Sequence, residues 1–175
     1  MEVIERRSLG VVWGLLRLFM GWTFLWAFLD KLFGLGFSTG RLEGGAIDFG
    51  KDAWISGGSP TFGLQFFTKG PFKGFFADIA GQAWLDWLFM GALLLVGLGL
   101  MLGVMTRIAA IGGAIWMGLF YTATAVWPEH NPFLDEHIVY IVVLAGIAIV
   151  GAGRYLGLGK SWERLDVVRK HPFLA

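Results

Sequence analysis

The sequence predicts an all-α fold: a four-helix transmembrane bundle with a long structured extracytoplasmic loop between helices 1 and 2. Three observations carry that prediction. The 175-residue chain is 56% hydrophobic and 15% charged, with a mean hydropathy of +0.66. A soluble core of this size cannot conceal so much apolar surface, so a bilayer has to serve as part of the solvent. The charges fall almost entirely between apolar runs, and four of those runs are long enough to cross a hydrocarbon core. Such a crossing takes about 20 residues at a rise of ~1.5 Å each.

The whole chain, 1–175, reads as one domain. The expected spans are about 9–33, 84–105, 107–127 and 136–153. The first apolar run is too long for the core of a signal peptide, and no small-x-small cleavage site follows it, so it is read as a retained span. The third ends at Pro128, and the fourth begins after Asp135, Glu136 and His137. Small residues repeat at helical spacing (Gly99–Gly103, Ala109–Gly113, Ala114–Gly118, Ala148–Ala152), which supports close helix packing.

Orientation follows from Lys and Arg. Arg6, Arg7, Arg107, Arg154, Lys160, Arg164, Arg169 and Lys170 lie on one side, while Lys31, Arg41, Lys51, Lys69 and Lys73 lie on the other, mostly inside a long loop. Both termini are therefore expected in the cytoplasm.

The outer loop, 34–83, is far longer than the ~12–15 residues a structureless connection usually reaches. It carries Trp54, Phe62, Phe66, Phe67, Phe72, Phe75 and Phe76, with Trp84 just beyond, and its glycines, Pro60 and Pro71 divide it into short pieces. Short helices at the outer interface are expected, with rings turned toward lipid or over the bundle mouth. In the tail, 154–175, the stretch Ser161–Lys170 reads as a surface helix. Ser161 would be its N-cap, with Trp162, Leu165 and Val168 facing the membrane.

The chain has no cysteine. Disulfides, thiolate metal sites, CxxC chemistry and a chain-borne persulfide are excluded, so any electrons must travel on a bound cofactor or a partner. A formal net charge of +1 without a basic, aromatic-interleaved stripe gives no sign of nucleic-acid binding. No metal or haem is expected: His130, Asp135 and His137 lack i, i+4 histidine spacing, and no second helix offers an opposing histidine.

Charges within spans are functional candidates by default. Arg17 lies roughly 10 Å inside the cytoplasmic edge. Either it snorkels to the headgroups, or it faces the bundle and holds an anion or a polar headgroup. Its counter-charge would be Glu163, Asp166, Glu5, a lipid phosphate or a ligand. At the outer end, Asp30, Lys31, Asp86, Asp135, Glu136 and His137 reach one level, with the phenols of Tyr121 and Tyr140 at similar depth. Helix capping is the plainer alternative for Asp135 and Glu136. Asp30 and Lys31 pair or reach water, and His137 is either a satisfied interfacial histidine or a proton-transfer group.

The stretches LLRLFMGWTFLWAFLDKLFG, GLGLMLGVMTRIAAIGGA and NPFLDEHIVYIVVLAGIAIVGAGRYLGLG resemble the DoxX/DoxD family of four-span membrane proteins. The loop segment GGSPTFGLQFFTKGPFKGFFADIAG looks like the DoxD-type branch, and the similarity covers nearly the whole chain. Arg17, Lys31, Arg107, Asn131, Pro132, Asp135 and His137 match the family's polar pattern. The resemblance implies a multi-pass protein of the prokaryotic plasma membrane. It further implies a DoxD-like large subunit of a thiosulfate:quinone oxidoreductase, with a smaller DoxA-like partner or a larger membrane complex, among membrane lipids.

On that reading the cofactor is a quinone whose headgroup sits under the outer mouth. Tyr140 or Tyr121 bonds a quinone carbonyl, His137 and Asp135 move protons, and Lys31 or Arg41 attracts the anionic substrate. Asp30, Asp86 and Asn131 complete the expected cofactor-binding positions at that mouth, and Arg17 is the expected cofactor-binding position if the quinone binds instead on the cytoplasmic side. The alternative is a non-catalytic anchor, accessory or lipid-binding subunit of a larger membrane complex. A small-molecule carrier fits less well, because the spans lack the broken, polar helices of transporters.

Overall fold

The computed structural model describes residues 2–126, 128, 129 and 131–174. Among them the fold is all-helical without a strand, the β-type pairing being one bridge between Arg41 and Ile47. In chain order the helices are α1 (Glu2–Phe33), α2 (Leu64–Phe67), α3 (Lys73–Ile79), α4 (Ala83–Leu102), α5 (Thr106–Phe120), α6 (Glu136–Val150), α7 (Gly159–Trp162) and α8 (Asp166–Lys170). Two of them are long and apolar enough to cross a membrane: α1 over Ser8–Phe33, and α4.

Helix α5 does not stop at Phe120. It widens into a π turn, Tyr121–Ala125, so the helical path runs on to residue 125. Trp127, the expected end of the third span, lies outside the described residues. Helix α6 has 15 residues, about 22 Å at 1.5 Å per residue. It ends where Gly151 takes φ 64 and donates its N–H to Ile147. A 3-10 turn, Ala152–Arg154, follows.

Helix α1 lies on α4, α4 on α5, α5 on α6, and α6 closes back on α1. Phe24, Met90, Leu100, Leu144 and Ile147 are buried at the centre. Glycines set the closest approaches. A Cβ on Gly97 would stand 2.8 Å from the Leu25 nitrogen, and one on Gly21 2.8 Å from the Met101 nitrogen, so α1 and α4 touch backbone to backbone. Side chains larger than hydrogen would force the two helices apart. Gly99 faces Ala109 across α4 and α5, and Gly113 faces Val96, Phe24 and Leu144. Of the small residues expected at packing faces, Gly99, Ala109 and Gly113 lie in such contacts, whereas Gly118 has nothing within 4 Å of an added Cβ and Gly103 is the φ 75 cap of α4.

The tail departs from expectation. Ser161 lies inside α7, whose N-cap position is Leu158, and α8 starts separately at Asp166. Val168 is buried rather than turned toward a membrane. The Trp162 indole donates to the Leu174 carbonyl at 2.7 Å, folding the chain end back on itself. Loop glycines and prolines break the periodicity needed for one long helix, and the outer loop accordingly yields only the 3-10 turn Trp54–Ser56 and the short α2 and α3.

Candidate functional site at the amino end of α6

Arg17 is fully buried, at the opposite end of the bundle from Asp30 and Asp86. Its Nη1 donates to the carbonyls of Leu100 and Met101, the latter at 3.0 Å. Its Nη2 donates to the carbonyls of Tyr155 at 3.2 Å and Leu156 at 2.9 Å. The last four carbonyls of a helix have no partner within it. In α4 all four are taken: Gly99 by the N–H groups of Gly103 and Val104, Leu100 and Met101 by Arg17, and Leu102 by the Leu158 N–H. The guanidinium also meets the negative end of the α4 dipole. The counter-charge expected from an acid, a lipid phosphate or a ligand is therefore supplied by backbone. Glu163 instead pairs with Arg154 at 2.7 Å. The side chains of Glu5 and His130 lie outside the described residues.

At the other end, two carboxylates hold the outer loop. Asp30 accepts from three consecutive N–H groups, those of Phe37 at 3.1 Å, Ser38 at 2.9 Å and Thr39 at 3.0 Å, and from the Ser38 hydroxyl at 2.6 Å. The Asp86 Oδ1 accepts from the Ser59 hydroxyl at 2.9 Å, the Thr61 N–H at 3.1 Å and the Thr61 hydroxyl at 2.6 Å. Charged acceptors form the stronger class of hydrogen bond, so the start of the loop is firmly tied to α1 and its middle to α4. Asp30 neither pairs with Lys31 nor reaches water; burial leaves its carboxylate to the loop backbone.

The Lys31 Nζ donates to the Ser38 hydroxyl at 3.0 Å and lies 5.8 Å from the centre of the Phe89 ring. From there a row of rings crosses the bundle. Phe89 stacks on Trp116 at 5.7 Å and meets Phe120 edge-on at 5.9 Å, and Phe120 stacks on His137 at 6.0 Å. Phe120 had no distinguishing sequence signal, being one more apolar residue at the end of the third run.

His137 stands in the first turn of α6. Its Nδ1 is 2.6 Å from Asp135 Oδ2, while Asp135 Oδ1 accepts the N–H groups of His137 at 3.1 Å and Ile138 at 3.3 Å. Asp135 is thus both the N-cap of α6 and the orienter of the ring. The Nδ1 contact is taken up by Asp135, so Nε2 is the ring nitrogen left without a protein partner in that contact. The dyad opens on a surface depression of about 710 Å³ that also has Lys69, Thr124, Glu129, Asn131 and Glu136 on its walls. Lys69 is a loop residue, brought here because its N–H donates to the Ala123 carbonyl at 2.9 Å.

Three expected site residues surround the dyad in different ways. The Tyr121 hydroxyl donates to the Phe133 carbonyl at 3.0 Å, and Asn131 Oδ1 accepts the N–H groups of Phe133 at 3.2 Å and Leu134 at 3.0 Å. Both therefore shape the turn before α6. Tyr140, half-buried, packs against the core one turn below His137. Ligand atoms of Asp135, Glu136 and His137 all lie within 4.8 Å of one another. A cation bound through His137 Nδ1 and Asp135 Oδ2 would replace the bond between them and face the positive end of α6.

Protein-family models, curated proteins and solved structures alike offer no match to this chain.

Proposed function

We propose that the chain is a four-span, DoxD-like subunit of the prokaryotic plasma membrane, with both termini cytoplasmic, and that it serves a quinone-linked oxidation. The membrane part rests on where the apolar side chains lie. Phe19 and Trp22 on α1, Leu95 on α4, Ile115 on α5, and Val142 and Ile149 on α6 all face outward. A soluble monomer rarely exposes apolar surface on every helix, whereas a lipid-facing bundle does. Continuation of α5 through its π turn brings that helix to a spanning length, and the lysine and arginine distribution supports the orientation.

The observation that carries the function is the Asp135–His137 pair opening on the depression at the amino end of α6. A histidine fixed through Nδ1 presents Nε2 as an acid–base group, the kind of group that quinone reduction to quinol requires for its protons. Glu129, Asp135 and Glu136 outnumber Lys69 on the walls, so the site suits a neutral quinone better than an anionic reductant. Arg41 is turned to the Gly36 carbonyl at 3.0 Å and Lys31 to Ser38, which leaves neither beside the dyad. Oxidation of thiosulfate or another reductant then falls to a DoxA-like partner. The test is whether the purified chain retains extractable quinone, and whether it supports thiosulfate-dependent reduction of added quinone once that partner is supplied. Absence of both sinks the reading.

A second reading, a non-catalytic anchor or accessory subunit, is favoured by one observation. Arg17, Asp30 and Asp86, all buried and charged, bind the protein's own backbone and hydroxyls. His137→Ala separates the two readings: turnover falls if the dyad works on quinone, and assembly with turnover persists unchanged if the chain is an anchor.

A further inference from the structure

The segment between Pro60 and Ala77 is fastened at several points, yet it turns its largest side chains away from the protein. Thr61 is held by Asp86, the Lys69 N–H donates to Ala123, and Thr68 is buried. These attachments fix the segment beside the outer ends of α4 and α5. Five phenylalanines within it remain exposed: Phe62, Phe66, Phe67, Phe72 and Phe75, with Phe67 at 70%. Phe62 meets Phe66 at 5.6 Å, Phe75 meets Phe76 at 5.3 Å, and α2 packs against α3, so the ring-bearing pieces lie on one short stretch of packed chain. Exposed aromatic surface on a tethered, hydrogen-bonded segment is not loop disorder; it needs a cover.

We infer that this patch lies in the headgroup–acyl boundary of the outer leaflet, as an interfacial anchor that keeps the outer loop flat on the membrane. The inference rests on the membrane part of the proposed function. Charge selects the occupant: no acidic residue occurs from Ala53 to Ala77, while Lys69 and Lys73 stand among the rings and match lipid phosphates. Continuity supports it as well, because Trp84 and Trp87, exposed in the first turn of α4, extend the aromatic surface onto a helix read as a span. One consequence concerns the depression: Lys69 lies on its wall, so a quinone headgroup reaching His137 enters at lipid level rather than from water.

The absence of cysteine makes the test direct. Single variants Phe67→Cys, Phe72→Cys, Glu43→Cys and Leu95→Cys carry a nitroxide label in vesicles of phosphatidylcholine and phosphatidylglycerol. Collision with oxygen and with a water-soluble nickel chelate then reports depth. Labels at 67 and 72 should favour oxygen over nickel several-fold relative to Glu43, approaching the pattern at Leu95. Nickel access at 67 and 72 equal to that at Glu43 overturns the inference. Exclusion of both reagents overturns it too, since a protein surface would then cover the patch. Nickel access at Leu95 removes the membrane reading itself and this inference with it.

Discussion

Nη1 of Arg17 reaches the carbonyl of Met101 at 3.0 Å across 84 residues of sequence. Together with its other acceptors, this makes one arginine the cap of α4 and the tie between α1, α4 and the segment after α6. A planar fork with five donors suits four carbonyls; an ammonium with three does not. Arg17→Lys and Arg17→Met should both lower stability, the latter by at least about 2–3 kcal/mol. Thermal unfolding in detergent checks this, and an unchanged melting temperature in Arg17→Met would remove the capping role. Phosphate or anionic lipid should leave the wild-type melting temperature unaffected through this site, because both terminal nitrogens are already occupied.

The two loop anchors should fail separately. Asp30→Ala frees the N–H groups of residues 37–39, and Asp86→Ala frees Ser59 and Thr61. Limited proteolysis should speed up near residues 36–50 in the first variant and near 57–63 in the second. Equal cleavage patterns in the two would show that the loop is held as one piece by other contacts.

Asp135 has two tasks that one substitution can divide. Asparagine caps a helix about as well as aspartate, and alanine loses about 1 kcal/mol at that position. Asp135→Asn should therefore keep the melting temperature while turnover falls, because an amide cannot hold the Nδ1 proton as a carboxylate does. Asp135→Ala should lose both. Full turnover in a stable Asp135→Asn protein would reduce the residue to a cap.

The contact of α1 with α4 should not tolerate a methyl group. A Cβ at Gly97 stands 2.8 Å from backbone nitrogen, which has no rotamer by which to yield. Gly97→Ala should cost about 1–3 kcal/mol, as overpacking of a tight interface does. Gly118→Ala is the matched control, since nothing lies within 4 Å of its added Cβ. Helix propensity alone favours alanine at both positions, so Gly118→Ala should be neutral or stabilising, and a gain in Gly97→Ala as well would remove the interface effect.

Helical order was legible because apolar runs bounded by glycine, proline and charge have few other physical outcomes. Asp135 could also be seen as a cap from its place before an apolar run, and the structure adds His137 as its second partner. What one sequence could not convey were partners made of backbone. The acceptors of Arg17 are carbonyls, and the donors to Asp30 are consecutive N–H groups, so neither leaves a complementary side chain to find. The site was legible in part for the same reason. Composition brought Asp135, His137 and Tyr140 to one helix end, but the stacking of Phe120 and the arrival of Lys69 depend on tertiary contacts. The tail misled because Ser161 has the chemistry of an N-cap while Leu158 occupies that place.

The long reach of Arg17 also bears on how the chain is made. The acceptors lie between 83 and 139 residues further along, so on the ribosome α1 is complete well before any of them exists. The guanidinium then waits, without its final partners, through synthesis of the loop 34–82 and α4. The last two acceptors, Tyr155 and Leu156, arrive only once α6 and the turn after it have been made. A chain cut short before Tyr155 would lack two of the four carbonyls that hold the Arg17 guanidinium.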